Sequence, residues 1–211
     1  MRILFLSTWF PYPPDNGSKL RVYHLLKALT RKHSVSLIAF DFDEQCPGSD
    51  TWISSGMEHV ERIPIDPFAA TRRTGPLSRI SLQPTSTRSV PAMRNAVRRR
   101  LQQGAIDVVI ASTFVCSSYA LESFPPTTRI LEEHNSLTKW IWDRYKQQNG
   151  PLQRVRRWLS WQKTRHFEAR LFRQFDLVTA VSAQDARAMT TMLPGYRGLV
   201  EVVTNGVDCQ H

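Results

Sequence analysis

The sequence predicts an α/β protein built on a doubly wound, mainly parallel sheet. Three observations lead there. Short apolar runs rich in β-branched residues recur along all 211 residues. Several are apolar on successive residues rather than on alternate ones, as strands covered on both faces are. Segments with helical spacing lie between them, the alternation that builds right-handed strand–helix–strand crossovers.

The first strand is RILFLS (2–7). The loop after it, WFPYPPDNG (9–17), holds three prolines and ends in Asp-Asn-Gly. In SKLRVYHLLKALTRK, Val22, Leu25, Leu26 and Leu29 fall at i, i+3, i+4 and i+7, one face of a helix. Ser18 or Asn16 can cap it. SVSLIAF (34–40) and VERIPI (60–65) read as the next strands. Residues 66–90, with three prolines and four arginines, read as an excursion from the sheet. A basic helix, PAMRNAVRRRLQQG, leads to the strands IDVVIAS (106–112) and TRILEE (128–133). A long helix is expected within 151–176, followed by the strand DLVTAVS (176–182). Ser182 with Asp185 three residues on is a capping-box pattern opening a further helix before LVEVVT (199–204).

Composition bounds the function. With 41% hydrophobic and 22% charged residues, the chain is an ordinary globular one, long enough for a full core. The three cysteines, Cys46, Cys116 and Cys209, are odd in number, far apart and without metal-type spacing. They point to a reducing, cytoplasmic compartment rather than a disulfide framework. No apolar run reaches the ~20 residues needed to cross a bilayer. The opening MRILFLSTWF lacks a cleavage pattern and reads as a core strand, not a signal peptide. The net charge of +10 implies anionic company: nucleic acid, anionic lipid or a phosphorylated substrate.

In an open parallel sheet, ligands bind at the carboxyl ends of the strands. That rule singles out Thr8, the pair Ser112 and Thr113, the run Glu133-His134-Asn135, then Ser182, Asn205 and Gly206. Each could equally be a strand end meeting water; the Glu-His-Asn run is the least ordinary. At the first loop, Gly17 would let the backbone turn and Asn16 tolerates left-handed geometry. Lys19 and Arg21 put positive charge at a helix start, against the helix dipole. A bound anion would reverse that sign; otherwise both side chains should bend into solvent. Asp41 and Asp43, in DFD, resemble a metal and diphosphate site but also an ordinary acidic turn beside Glu44.

The segment 151–166 crowds Arg154, Arg156, Arg157, Lys163 and Arg165 among tryptophans and aliphatic residues. It suits either the surface of an anionic membrane or a core helix with a basic outer face. The same arginines could meet nucleic acid, but no reader motif accompanies them, and none is expected as a partner.

RILFLSTWFPYPPDNGSKLRVYHLLKAL followed by HSVSLIAF resembles the opening of family-4 glycosyltransferases of the GT-B fold. FDLVTAVSAQDA and VVTNGVD resemble that family's later motifs, and the loop resembles a subgroup from exopolysaccharide systems. The resemblance implies a Rossmann-like amino-terminal, acceptor-side domain over 1–211, ending at an interdomain linker with the donor domain beyond it. It implies a retaining transfer from a nucleotide-sugar to a glycan or lipid-linked acceptor, with no metal and no other cofactor. Residue by residue, it implies His134 near the transferred sugar, and Asn16, Gly17, Lys19 and Arg21 near the donor phosphates. Thr8, Ser112, Thr113, Glu133, Asn135, Ser182, Asn205 and Gly206 would line the cleft. Such a half alone should catalyse little, and could sit peripherally on the inner face of the membrane through 151–166. A non-catalytic basic module docking on membrane or polyanion, and a metal-dependent transferase using DFD, are the competing readings.

Overall fold

The structure is a computed structural model and describes residues 1–42, 53, 56–69, 89–147 and 150–205. β1 (Arg2–Ser7), α1 (Gly17–Leu29), β2 (Ser34–Phe40) and β3 (His59–Ile63) come first. α2 (Pro91–Gln103), β4 (Val108–Ser112), α3 (Thr113–Ala120) and β5 (Thr128–Glu132) follow. A helical hairpin of α4 (Leu137–Lys146) and α5 (Pro151–Phe172) precedes β6 (Leu177–Ala180), α6 (Ala183–Thr191) and β7 (Val200–Val202).

The strands form one sheet in the order β3-β2-β1-β4-β5-β6-β7, and every neighbouring pair is parallel. The direction of winding reverses between β1 and β4. The loops that leave these two strands therefore diverge to opposite faces and open a crevice at their carboxyl ends.

Period-2 alternation sorts the apolar side chains onto two faces. Ile3, Phe5, Leu37, Val108 and Ile110 meet Val22 and Leu26 of α1 on one. Leu4, Leu6, Ile38, Val109, Ala111 and Leu131 meet α2, α3 and the end of α5 on the other. Both faces are dry, which is why the central strands carry no polar alternation. Cys116 is buried in the second cluster, and burial pushes its thiol up to about 12. Cys46 and Cys209 lie outside the described residues.

Two helices were not expected from the sequence. α3 is short and begins on Thr113 at φ 66, a left-handed backbone that a β-branched residue rarely adopts. Its formation rests on burying Val115, Cys116 and Tyr119, not on local preference. α4 is held by tertiary contacts: Glu168 of α5 accepts from the Leu137 and Thr138 amides at 2.9 and 3.0 Å, and from the Thr138 hydroxyl. Of the expected excursion, residues 66–69 place Phe68 against Trp9, ring centroids 6.0 Å apart, and 70–88 lie outside the described residues.

Phe172 is fully buried and meets Tyr196 edge-on at 5.6 Å. Phe172→Ala is expected to lower the unfolding free energy by about 3–5 kcal/mol, read as a lower urea midpoint at unchanged slope.

Candidate functional site

The carboxyl edge of the sheet gathers a buried polar network around Glu132, the last residue of β5. Arg21 reaches across from α1, its Nε donating to Glu132 Oε1 at 2.5 Å. Ser112, in register opposite Glu132, donates to its Oε2 at 2.8 Å. His134 Nε2 lies 2.9 Å from the same Oε2 and 3.2 Å from the Ser112 hydroxyl. The other ring nitrogen, Nδ1, is 3.2 Å from the hydroxyl of Ser18, in the first turn of α1. Arg21 Nη1 also donates to Asn205 Oδ1 at 2.7 Å, tying in the segment after β7.

Burial alone would raise the Glu132 carboxyl, but His134 and Arg21 outweigh it and hold it below the usual carboxylate range. An ionised carboxylate only accepts, so the imidazole carries a hydrogen on Nε2 toward it. Its other nitrogen, Nδ1, is directed at the Ser18 hydroxyl in the first turn of α1. Asn16 caps that helix, its side chain accepting from the Lys19 amide at 3.0 Å. The amides of Gly17 and Ser18 are the first-turn donors this cap leaves over, and no acidic residue sits in the turn. A Cβ built on Gly17 would meet nothing within 4 Å, so the approach to these amides is open. A crevice of about 190 Å³ runs beside them, lined by Gly17, Leu20, Arg21, His24, Leu25 and Asn205, together with Thr204.

Several sequence expectations change here. Asn16 is extended, at φ −141, and Gly17 is helical, so neither supplies left-handed geometry. Lys19 and Arg21 bend neither to solvent nor outward toward a ligand. Both are buried, Lys19 paired with Asp15 at 3.2 Å and Arg21 with Glu132. One nitrogen of Arg21, Nη2, is enclosed without a hydrogen-bond partner among the described residues.

Glu133 is not in the cleft. Strand parity turns it to the opposite face, where it is buried with the Leu131 side of the sheet. Glu132 takes the cleft position instead. Thr8 and Ser112 are fully buried, and Thr113 nearly so. Thr8 donates to the Ser112 carbonyl at 3.0 Å and lies 2.8 Å from the Thr113 hydroxyl, so this trio braces the β1–β4 crossover beneath the cleft. Ser182 caps α6, accepting from the Asp185 amide at 3.1 Å as the capping-box pattern predicts. Asn135 is exposed beside His134, Asn205 joins the network, and Gly206 lies outside the described residues. Asp41 pairs with Arg62 at 2.5 Å, and Asp43 lies outside the described residues.

The sequence reading missed Glu132 and Ser18. Parity on TRILEE could have found the first, because Ile130 and Glu132 share the face that α1 covers. A second recess of about 310 Å³, walled by Trp9, Phe10, Tyr12 and Phe42 with Asn16 and Lys19, opens at the same edge beyond β2. A larger one, about 920 Å³, lies at the amino-terminal edge by Met1, Asp107 and Thr128. Size does not locate the chemistry there, because the helix N-termini and the titratable network face the other way.

Such a sheet, with its polar network at the switch between β1 and β4, defines a Rossmann-like α/β domain, whose carboxyl edge is the candidate ligand site. The chain belongs to Glycosyltransferase Family 4, whose family model matches residues 16–211. The fold is that of GT-B glycosyltransferases. Apo UGT2 of Phytolacca americana superposes with a TM-score of 0.56 at 14% identity, over 100% of this chain and 53% of that one. The same enzyme complexed with UDP-2fluoro-glucose and pterostilbene gives 0.53 at 11%, over 99% and 54%. A UDP-glucosyltransferase from Polygonum tinctorium, capable of glucosylating indoxyl, gives 0.52 at 9%, over 99% and 53%. The chain thus spans about half the length of these structures. No curated protein matches it.

Removing either partner of the Arg21–Glu132 pair leaves a buried charge. Glu132→Leu is expected to destabilise by about 3–5 kcal/mol, and adding Arg21→Met should restore part of the loss in the same denaturant titration. On the opposite face, burial pushes Glu133 well above its ordinary 4.5, with the Glu168 and Glu132 charges adding to the rise. Burial likewise lifts Glu168 to about 7, against the pull of its Thr138 and Leu137 donors. Both folded values exceed the unfolded ones, so their stabilisation is complete below the ordinary 4.5 and is lost as pH rises through the folded values, about 7 for Glu168. Glu133→Gln is expected to flatten that decline in unfolding free energy measured from pH 5 to 8.

Proposed function

We propose that the chain is the amino-terminal, acceptor-side domain of a retaining, metal-independent glycosyltransferase. It would move a sugar from a nucleotide-sugar donor to a glycan or lipid-linked acceptor, in the cytoplasm and in polysaccharide assembly. The observation that carries the reading is His134. Its ring is clamped by Glu132 and Ser112 on one side and turned toward the open first turn of α1 on the other.

In this reading the Gly17 and Ser18 amides and the dipole of α1 meet the donor diphosphate. Arg21 acts from behind, fixing Glu132 and Asn205 and adding positive charge beneath the turn. His134 Nδ1 exchanges the Ser18 hydroxyl for a hydroxyl of the transferred sugar and so positions it. Charge developing on the departing diphosphate is the main thing the site must stabilise, and preorganised amides suit that task. The sheet edge supplies one wall only; a second domain would supply the other, so this half by itself is expected to turn over little. Support for a nucleotide-sugar donor comes from the family and from the UDP-2fluoro-glucose held by the Phytolacca enzyme.

In the full two-domain enzyme, His134→Ala is expected to lower kcat by about 10²-fold or more with little change in donor KM. Chelation with excess EDTA should leave the rate unchanged, and the anomeric proton of the product should show the configuration of the donor. A normal rate in His134→Ala, or a rate restored only by manganese, would overturn the proposal.

A further inference from the structure

The two halves of α5 live in different surroundings. Its second half buries Thr164, Glu168, Ala169, Leu171 and Phe172 against the sheet and α4. Its first half projects beyond the carboxyl edge, since 22 residues make a helix of ~33 Å and the strands are much shorter. There it packs on α4 alone, chiefly through Trp161 on Trp142, ring centroids 4.5 Å apart. On its outer face Leu152 is 85% exposed, Val155 60%, Leu159 48% and Trp158 42%. Leu152, Val155 and Leu159 fall at i, i+3 and i+7, so they form one apolar stripe facing solvent.

Cations flank the stripe. Arg154 and Arg165 fall on one side of it and Arg156 on the other, whereas the half-buried Arg157 lies on the far face, one turn before Trp161. None of these four arginines has a carboxylate partner among the described residues, and 151–167 contains no Asp or Glu. The contrast with α2 is informative. There Arg94 and Arg98 pair with Glu122, Arg99 with Glu61 and Arg100 with Glu58. The arginines of α2 meet carboxylates within the fold; among the described residues Arg154 and Arg165 of α5 meet only the rings of Tyr145 and Trp161 and the amide oxygen of Gln162, which leave their charge uncancelled.

We propose that the first half of α5 is a docking surface for an anionic bilayer. The helix would lie in the headgroup layer with Leu152, Val155, Trp158 and Leu159 inserted and the arginines on lipid phosphates. No helix among the described residues is long and apolar enough to cross a membrane, so the contact is a peripheral one. A polyanion such as RNA would use the arginines but gains nothing from an exposed aliphatic stripe. A second copy of the chain would bring the same unpaired cations into repulsion. Because α4 starts at Leu137, three residues after His134, docking through this hairpin also sets the carboxyl edge close to the bilayer. That last point rests on the glycosyltransferase reading and favours the lipid-linked acceptor; the docking itself does not depend on it.

The test is co-sedimentation of the full chain with vesicles of phosphatidylcholine alone or mixed with phosphatidylglycerol. Binding is expected only to the mixed vesicles, and to weaken with added salt. The variants Val155→Asp/Leu159→Asp and Arg154→Glu/Arg156→Glu should each weaken it about tenfold or more. Positions 154, 155, 156 and 159 are all exposed, so circular dichroism should be unchanged. No binding to the mixed vesicles would overturn the proposal. So would binding that survives the apolar variant, or a concentration-dependent dimer that the apolar variant abolishes.

Discussion

The buried pair between Arg21 and Glu132 is the constraint on which the rest of the carboxyl edge depends. A guanidinium and a carboxylate, each almost wholly shielded from water, stabilise one another only while both are present and well bonded. The pair therefore fixes α1 to β5 across β1 and β4, and with it the position of the α1 start relative to His134. Ser112 and Asn205 add further hydrogen bonds to the two ions, and Arg21 Nη2 alone of the guanidinium nitrogens stays without one among the described residues. Loss of either ion would loosen both the helix and the imidazole.

This arrangement accounts for cations near the helix start that seemed misplaced. Lys19 and Arg21 do oppose the dipole of α1, but their charges are met by Asp15 and Glu132 at short range. A close carboxylate outweighs a helix terminus worth a few tenths of a kcal/mol to about 1 kcal/mol. The α1 start keeps its amides accessible while both cations are turned inward as structural ties.

The hairpin of α4 and α5 shows a second division of labour. Glu168 holds the start of α4 through three donors, and its neighbour across the layer, Glu133, is a buried carboxyl on the same face. This acidic, protonation-sensitive interior anchors the inner half of α5. The outer half carries the opposite character, cationic and apolar at once, and presents it away from the fold. A single helix is thus a core element at one end and a contact surface at the other.

The order of the strands was legible in the sequence because covered strands leave apolar runs, and α1 was legible through its apolar stripe; α3 and α4 were not, because burial and Glu168 hold them rather than local signals. The cap on α6 was legible too, since Ser182 and Asp185 interact locally. The site was legible only to the level of which strand ends carry it: His134 and Asn205 join one network through Glu132 and Arg21, Thr8, Ser112 and Thr113 lie beneath, and Glu133 gives way to Glu132. That exchange is one residue of strand parity, set by which face of β5 the core takes. Whether Arg21 turned outward to an anion or inward to Glu132, 111 positions away, depended on a partner that chain order does not bring near. Local chemistry determined the strands and most helices; only the packing of distant elements formed α3 and α4 and decided which charges were spent inside the fold and which were left to face the outside.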